Sequence, residues 1–226
     1  MTKKWIEQNI LISVDNVIFT IINDKLQILL VSRPVEPFKW LRSLPWGVVW
    51  DKETLEETAY KKLEEKTSVK NIYLEQLYTF SDIKRDPRWR TISTAYMALV
   101  SRENLTIKSS KAWRESKFFP VTALPKLWFD HKWIIEYAIK RLKWKLEYTN
   151  IAQYILPEKF TLTELQHSYE LILAKKLDKR NFRKKMMSLS ILKELDEFSK
   201  SGSKRPARLY EFDEITLNSK RGHFFS

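Results

Sequence analysis

The spacing of apolar and polar positions changes period several times along the chain, and each change marks an element. Residues 14–22 are rich in β-branched and aromatic side chains, and 26–33 repeat that character. Asn23-Asp24 between them supplies turn chemistry, so the two runs predict a hairpin. Pro34 and Pro37 make the stretch to Ser43 a loop. Leu55, Ala59 and Leu63 then recur every four residues, predicting a helix to about Lys66 that Asp51 or Thr54 can cap. Strands are predicted over 72–80 and 91–100, with a charged loop between them, and over 117–121. From Asp130 a stripe of Ile134, Ala138 and Leu142 predicts a second helix with one buried face.

After about Glu147 the grammar changes. A helix is predicted over 148–156, ended by Pro157. Thr161-Leu-Thr-Glu164 has the form of a capping box and opens a helix to about Ala174. Asp178 can cap a third helix, 179–188. Two short runs, 191–198 and 207–212, then bracket a basic turn, 200–205. The chain therefore divides into a strand-rich part, 1–147, and a helical part with a basic hairpin, 148–226.

Composition sharpens this picture at two points. Hydrophobic residues make up 43% of the 226, enough for an ordinary core. No run is long and apolar enough to span a membrane, and the start of the chain lacks a signal-peptide pattern, so a soluble cytoplasmic protein without a membrane partner is expected. The charge is the first informative departure: 41 Lys and Arg against 28 acids give +13, which favours a polyanionic partner. There are no cysteines, and His131, His167 and His223 are far apart, so no zinc site is expected.

The strand-rich part carries one motif with a long fixed spacing. Gly47 is followed after five residues by Glu53, and after seven more by Lys61-Lys62-Leu63-Glu64-Glu65-Lys66-Thr67-Ser68-Val69. This resembles a Nudix box, with Gly47, Glu53, Leu63, Glu65 and Val69 in register and Leu44-Pro45 just before it. In Nudix hydrolases glutamates on one helix face hold divalent cations that polarise a diphosphate and activate water. The three expected glutamates correspond to positions 62, 65 and 66, which here are Lys62, Glu65 and Lys66. Ammonium groups cannot ligate a metal, so the box predicts no catalytic residues, no metal and no cofactor. A ligand can still be held by fixed cations. Arg33 at the end of its strand, and Arg85, Asp86, Arg88 and Arg90 in the charged loop, are the candidate ligand-binding residues; surface charges with Asp86 paired internally are the plainer reading.

The helical part carries its own chemistry. Residues 179–185 hold five basic side chains with Asn181 and Phe182 among them. On a helix Phe182, Met186 and Leu189 turn inward, leaving Lys179, Arg180, Asn181, Arg183, Lys184 and Lys185 largely outward. Asn and Arg are the side chains that read adenine and guanine edges in the major groove. A capped helix, a short turn and a basic helix form a helix-turn-helix, and a hairpin with Lys204, Arg205 and Arg208 fits a wing on backbone phosphates.

Taken together, Arg85-Asp-Pro-Arg88, Phe129-Asp-His131, Phe160-Thr-Leu-Thr-Glu-Leu-Gln166, Asp178-Lys-Arg-Asn-Phe-Arg-Lys184 and Arg205-Pro-Ala-Arg-Leu-Tyr210 resemble the Nudix-related transcriptional regulators of the NrtR type. The resemblance spans nearly the whole chain. It implies an α/β Nudix fold, a mixed sheet with flanking helices, followed by a small α+β winged helix-turn-helix domain. It also implies a homodimer that binds palindromic double-stranded operator DNA and answers to a small effector, ADP-ribose or a sugar such as arabinose. The rival reading is a Nudix hydrolase acting on ADP-ribose or a related nucleoside diphosphate, for which Glu53 and Glu65 are the support.

Glycine and tryptophan are the second compositional departure. The chain has 3 glycines and 9 tryptophans, where average usage would give roughly 16 glycines. Trp46 stands at the first glycine of a Leu-Pro-Gly-Gly turn and Trp89 in a loop where relatives carry glycine. Trp40, Trp50, Trp128, Trp133 and Trp144 fall at loop or small-residue positions. Two origins fit: glycine encoded by UGA and written as tryptophan, or true divergence with bulky rings in the pocket.

Overall fold

The computed structural model describes residues 9–32, 39–67, 72–105, 116–199 and 206–213. Arg33, Lys204, Arg205, the loop prolines Pro34 and Pro37 and the basic turn 200–205 lie outside them, as does the side chain of Lys66. The long hairpin forms as its pattern predicts. Strand β1 (Leu11–Ile22) and β2 (Lys25–Ser32) pair antiparallel through the Asn23-Asp24 turn, where both residues have positive φ. That is the geometry of a type I′ turn, whose twist matches its strands.

Five more strands join β1 and β2 in one mixed sheet. β1 runs parallel to β6 (Thr91–Leu99), which pairs with the edge strand β5 (Tyr73–Phe80). β7 (Ser116–Pro120) pairs with β2. Two short strands inside the stretch read as loop and box, β3 (Arg42–Ser43) and β4 (Trp46–Val48), pair with β2 and β1. Segments of two and three residues are too short to show a period, which is why the sequence did not announce them.

The faces of β1 and β6 sort by alternation. Val14 and Tyr96 pack with Ala59 of helix α1 (Leu55–Thr67), while Val17, Phe19, Ala95 and Met97 pack under helix α2 (His131–Tyr148) through Ile134, Ile135, Ala138 and Leu142. With a helix on each face both sheet surfaces are buried, so the strands read as continuous apolar runs. Thr54, not Asp51, caps α1: its Oγ1 accepts from Glu57 N at 3.1 Å and its N–H donates to Glu57 Oε2 at 2.8 Å.

The junction to the second part differs from the expectation. No separate helix spans 148–156: α2 continues to Tyr148, and a 3-10 turn, Ile151–Tyr154, follows. Helix α3 (Leu162–Leu173) is opened by a full capping box between Thr161 and Glu164, and α4 (Lys179–Ser188) by Asp178, whose carboxylate accepts from Asn181 N at 2.8 Å. β8 (Phe160–Thr161), β9 (Leu192–Phe198) and β10 (Arg208–Phe212) form a three-stranded sheet in the order β8-β10-β9. Phe160, Leu165, Tyr169, Ile172, Phe182 and Met186 make its core, and this core is continuous with the underside of α2 through Leu142, Leu146 and Ile151. Leu189, expected inward, is only half-buried, and so is Lys185.

The tryptophans divide by environment. Trp40 holds φ of 71°, a left-handed backbone that a bulky side chain rarely adopts. Trp50 and Trp89 are exposed in loops, as expected. Trp133 and Trp144 are also exposed, but on α2, whereas Trp128 is buried to 2% and stacked on Phe129.

Candidate ligand cleft and nucleic-acid interface

A cleft of about 1190 Å³ opens between the end of β5 and the turn that leads into α2. Phe80, Phe129 and Trp133 supply flat apolar surface, Lys84, Lys126 and Lys132 line it with positive charge, and Asp82 and Asp130 with negative. Aromatic rings beside convergent cations suit a ligand with a planar base and phosphates.

Arg85 is fixed from below. Its Nε and Nη2 donate to the two Asp130 oxygens at 2.9 and 3.0 Å, and Nη2 also donates to Asp15 Oδ2 at 3.1 Å. Ser93 Oγ donates to the same Asp15 oxygen at 2.6 Å, and His131 Nε2 lies 3.4 Å from Oδ1. Leu44 N donates to His131 Nδ1 at 3.0 Å, which places the ring proton on Nε2, facing Asp15. Burial pushes the Asp15 carboxyl up, but His131, Arg85 and Ser93 outweigh it and bring it down to about 2. Asp130 stands at the N-cap of α2 without capping it, because its carboxylate is turned to Arg85. One network thus joins β1, the charged loop and the start of α2.

Of the other predicted ligand residues, Asp86 and Arg88 line a narrow hollow with Arg85 beside Asp15 and His131, while Arg33 lies outside the described residues. Asp86, Arg88 and Arg90 border a shallower hollow of about 450 Å³ on the same loop. Asp86 is buried and paired with Arg88, whose Nη2 donates to it at 2.8 Å and whose guanidinium also lies over the Trp128 and Phe129 rings. Burial pushes the Asp86 carboxyl up, and the bonds from Arg88 pull it below its ordinary range. Arg90 donates to Ser81 O at 3.0 Å. The cleft residues Phe80, Phe129 and Trp133 went unpredicted as ligand contacts. Only the Phe129-Asp-His131 motif pointed toward them.

The box helix shows the chemistry of its substitutions. Lys62 Nζ donates to both Glu65 oxygens, at 2.9 and 3.1 Å. Glu53 accepts from Lys61 at 2.7 Å and from Thr58 at 3.0 Å; these two bonds hold its carboxyl below the ordinary range. A divalent cation, which the Nudix fold implies, needs several oxygen ligands. This donor set does not fit one, since both carboxylates already carry an internal ammonium. No group of three His, Cys, Asp or Glu side chains converges among the described residues.

On the second part, α4 buries Phe182 and Met186 and leaves Lys179, Arg180, Asn181, Arg183 and Lys184 exposed. α3 lies behind it, and Arg183 reaches Thr163 Oγ1 at 3.5 Å. The wing strands are different, because their charges are internally matched. Arg208 pairs with Glu194 at 2.6 Å, Lys193 with Glu211 at 2.7 Å, and Lys159 with Glu197 at 2.6 Å. The exposed bases of α4 share one surface, whereas Lys193 and Arg208 of the strands reach solvent but are paired with acids. No helix among them is long and apolar enough to cross a membrane.

Comparison with known proteins agrees with both halves. Residues 13–138 match the NUDIX domain family and residues 152–212 the NrtR DNA-binding winged helix domain. The ADPR responsive transcriptional repressor NtrR of Acinetobacter baylyi is 37% identical over 206 residues, 89% of this chain and 82% of that protein. Shewanella oneidensis NrtR in complex with a 27mer DNA superposes with a TM-score of 0.80 at 35% identity, over 92% of this chain and 95% of that one. The NUDIX domain of the same protein in complex with ADP ribose matches 60% of this chain and 90% of that one, with a TM-score of 0.53 at 38% identity. The chain belongs to the NrtR family of DNA-binding transcriptional regulators, in which a Nudix domain precedes a winged helix.

Proposed function

We propose that this protein is an ADP-ribose-responsive transcriptional repressor that acts as a homodimer in the cytoplasm and does not hydrolyse its effector. The observation that carries the reading is α4: a basic helix, backed by a capped partner helix, that exposes Arg180, Asn181, Arg183 and Lys184 on one surface. Such a helix fits the major groove, with Asn181 and the arginines toward base edges and Lys179 and Lys184 toward phosphates. Lys204, Arg205 and Arg208 would contact backbone phosphates from the wing, with Arg208 leaving Glu194 to do so.

The effector belongs in the cleft beside Arg85, its base against Phe129 and Trp133 and its diphosphate toward Lys84, Arg85 and Lys132. Asp86, Arg88, Arg90 and Arg33 are then contacts at its margin. The sensor domain is residues 1–147 and the DNA-binding domain 148–226, a division that falls at the end of α2. Ligand in the cleft would bias the start of α2 and so the angle between two winged helices, a population shift with reciprocal effects on the two affinities. Loss of hydrolysis follows from the ammonium groups on the box helix.

Salt-dependent binding of the full chain to its own promoter tests this, with and without ADP-ribose. Specific binding is expected to weaken when ADP-ribose is added, and to fall by about tenfold or more in Arg180→Ala/Arg183→Ala, with a shallower salt slope. Equal affinity for promoter and random DNA would remove the regulator reading. Mg²⁺-dependent turnover of ADP-ribose would restore the hydrolase.

A further inference from the structure

The box helix carries its own cation. Lys62 lies one turn before Glu65 on α1, and its ammonium meets both carboxylate oxygens, at 2.9 and 3.1 Å. Its stem is laid against Gly47: a Cβ there would come within 2.6 Å of Lys62 Cε and 2.8 Å of Cγ. A side chain at position 47 would therefore push the Lys62 stem aside. The box keeps the motif glycine, but the space it leaves is filled by a lysine. The second retained carboxylate, Glu53, is matched by Lys61 at 2.7 Å. An ammonium has three donors and no lone pair, so it satisfies a carboxylate but cannot share a metal with it.

We propose that Lys62 is the resident cation of this helix, standing in the place of the divalent metal, and that the domain therefore binds a diphosphate ligand without Mg²⁺. The ligand half of this statement rests on the ADP-ribose reading; the metal half does not. A positive charge one turn away from Glu65 repels a divalent ion and removes an oxygen ligand at once. Reversing that charge should restore the lost site.

The test follows free Mn²⁺ by its electron paramagnetic resonance signal in the presence of the full-length protein. Wild type is expected to leave the signal unchanged at submillimolar Mn²⁺. Lys62→Glu, and more strongly Lys62→Glu/Lys66→Glu, should bind the ion about tenfold or more tighter than wild type. Lys62→Met keeps the stem against Gly47 while freeing Glu65, so a smaller gain is expected there even if the glutamate variants fold poorly. Calorimetry then compares ADP-ribose binding to wild type in EDTA and in Mg²⁺, where equal affinity is expected. Tight Mn²⁺ binding by wild type that Glu65→Gln abolishes would overturn the proposal, and so would no gain in any folded variant. ADP-ribose that binds only with Mg²⁺ would overturn it as well. If ADP-ribose binds in neither buffer, the effector assignment fails, and the Mn²⁺ titrations alone decide on Lys62.

Discussion

Asp15 shows how much one buried side chain can carry. It is 2% exposed, yet it stays ionised because Arg85, Ser93 and His131 surround it. Its carboxyl sits at about 2 in the folded protein, below the ordinary value near 4 in the unfolded chain. The depressed pKa means that its stabilisation is present above about pH 4 and is lost as the pH falls toward 2, on the order of 2 kcal/mol. Urea unfolding midpoints at pH 5 and pH 3 check this, and Asp15→Asn should flatten the difference while lowering both. Trp40 poses a second residue-scale question. Its φ of 71° strains any residue with a bulky side chain. Trp40→Gly should therefore raise stability by about 1 kcal/mol, read from thermal unfolding. Intact mass of the protein purified from its native host distinguishes glycine recoding from divergence. A mass that fits all nine tryptophans excludes recoding.

At the scale of elements, the caps carry the local logic. Thr161 and Glu164 exchange both hydrogen bonds of a capping box, with Thr161 N to Glu164 Oε2 at 2.7 Å and Glu164 N to Thr161 Oγ1 at 3.2 Å. Thr161→Ala should cost about 1 kcal/mol and fray the start of α3. Because α3 backs the basic helix, the same variant should also weaken operator binding without touching a DNA-facing group; far-ultraviolet circular dichroism and a binding titration read the two effects separately. Of the expected wing contacts, Lys204 and Arg205 lie outside the described residues and Arg208 lies on β10. Exposed positive charge sits on α4, while the strand residue Arg208 is held by Glu194, a cross-strand pairing that linear order does not reveal.

For the whole molecule, the Arg85 network is the connection that matters. It ties β1 to the first residues of α2, and α2 runs into the core of the winged helix. Arg85→Met leaves two carboxylates, Asp15 and Asp130, without their cation, one of them fully buried. Removing one member of a buried pair costs about 3–5 kcal/mol, so a large drop in the thermal midpoint is expected. Asp15→Asn in the Arg85→Met background should recover part of it, and a double-mutant cycle with no recovery would refute the pairing.

Much of this protein was written locally. The hairpin, the two long helices of the first part and the capped pair α3 and α4 were legible because their signals are short-range: a turn pair at Asn23-Asp24, a four-residue apolar repeat, a cap three residues from its partner. The spacing from Gly47 to Val69 marked the Nudix box, and Lys62 in it marked the loss of a ligand. What the sequence could not supply was proximity. Asp15, Arg85 and Asp130 are brought together by parallel pairing of β1 with β6 and by the packing of α2, contacts that span 45 and 70 residues. The cleft beside Arg85 exists only once β5 and the turn before α2 face each other. Sequence periodicity fixes which side of an element is buried; only the tertiary fold decides which buried charges meet.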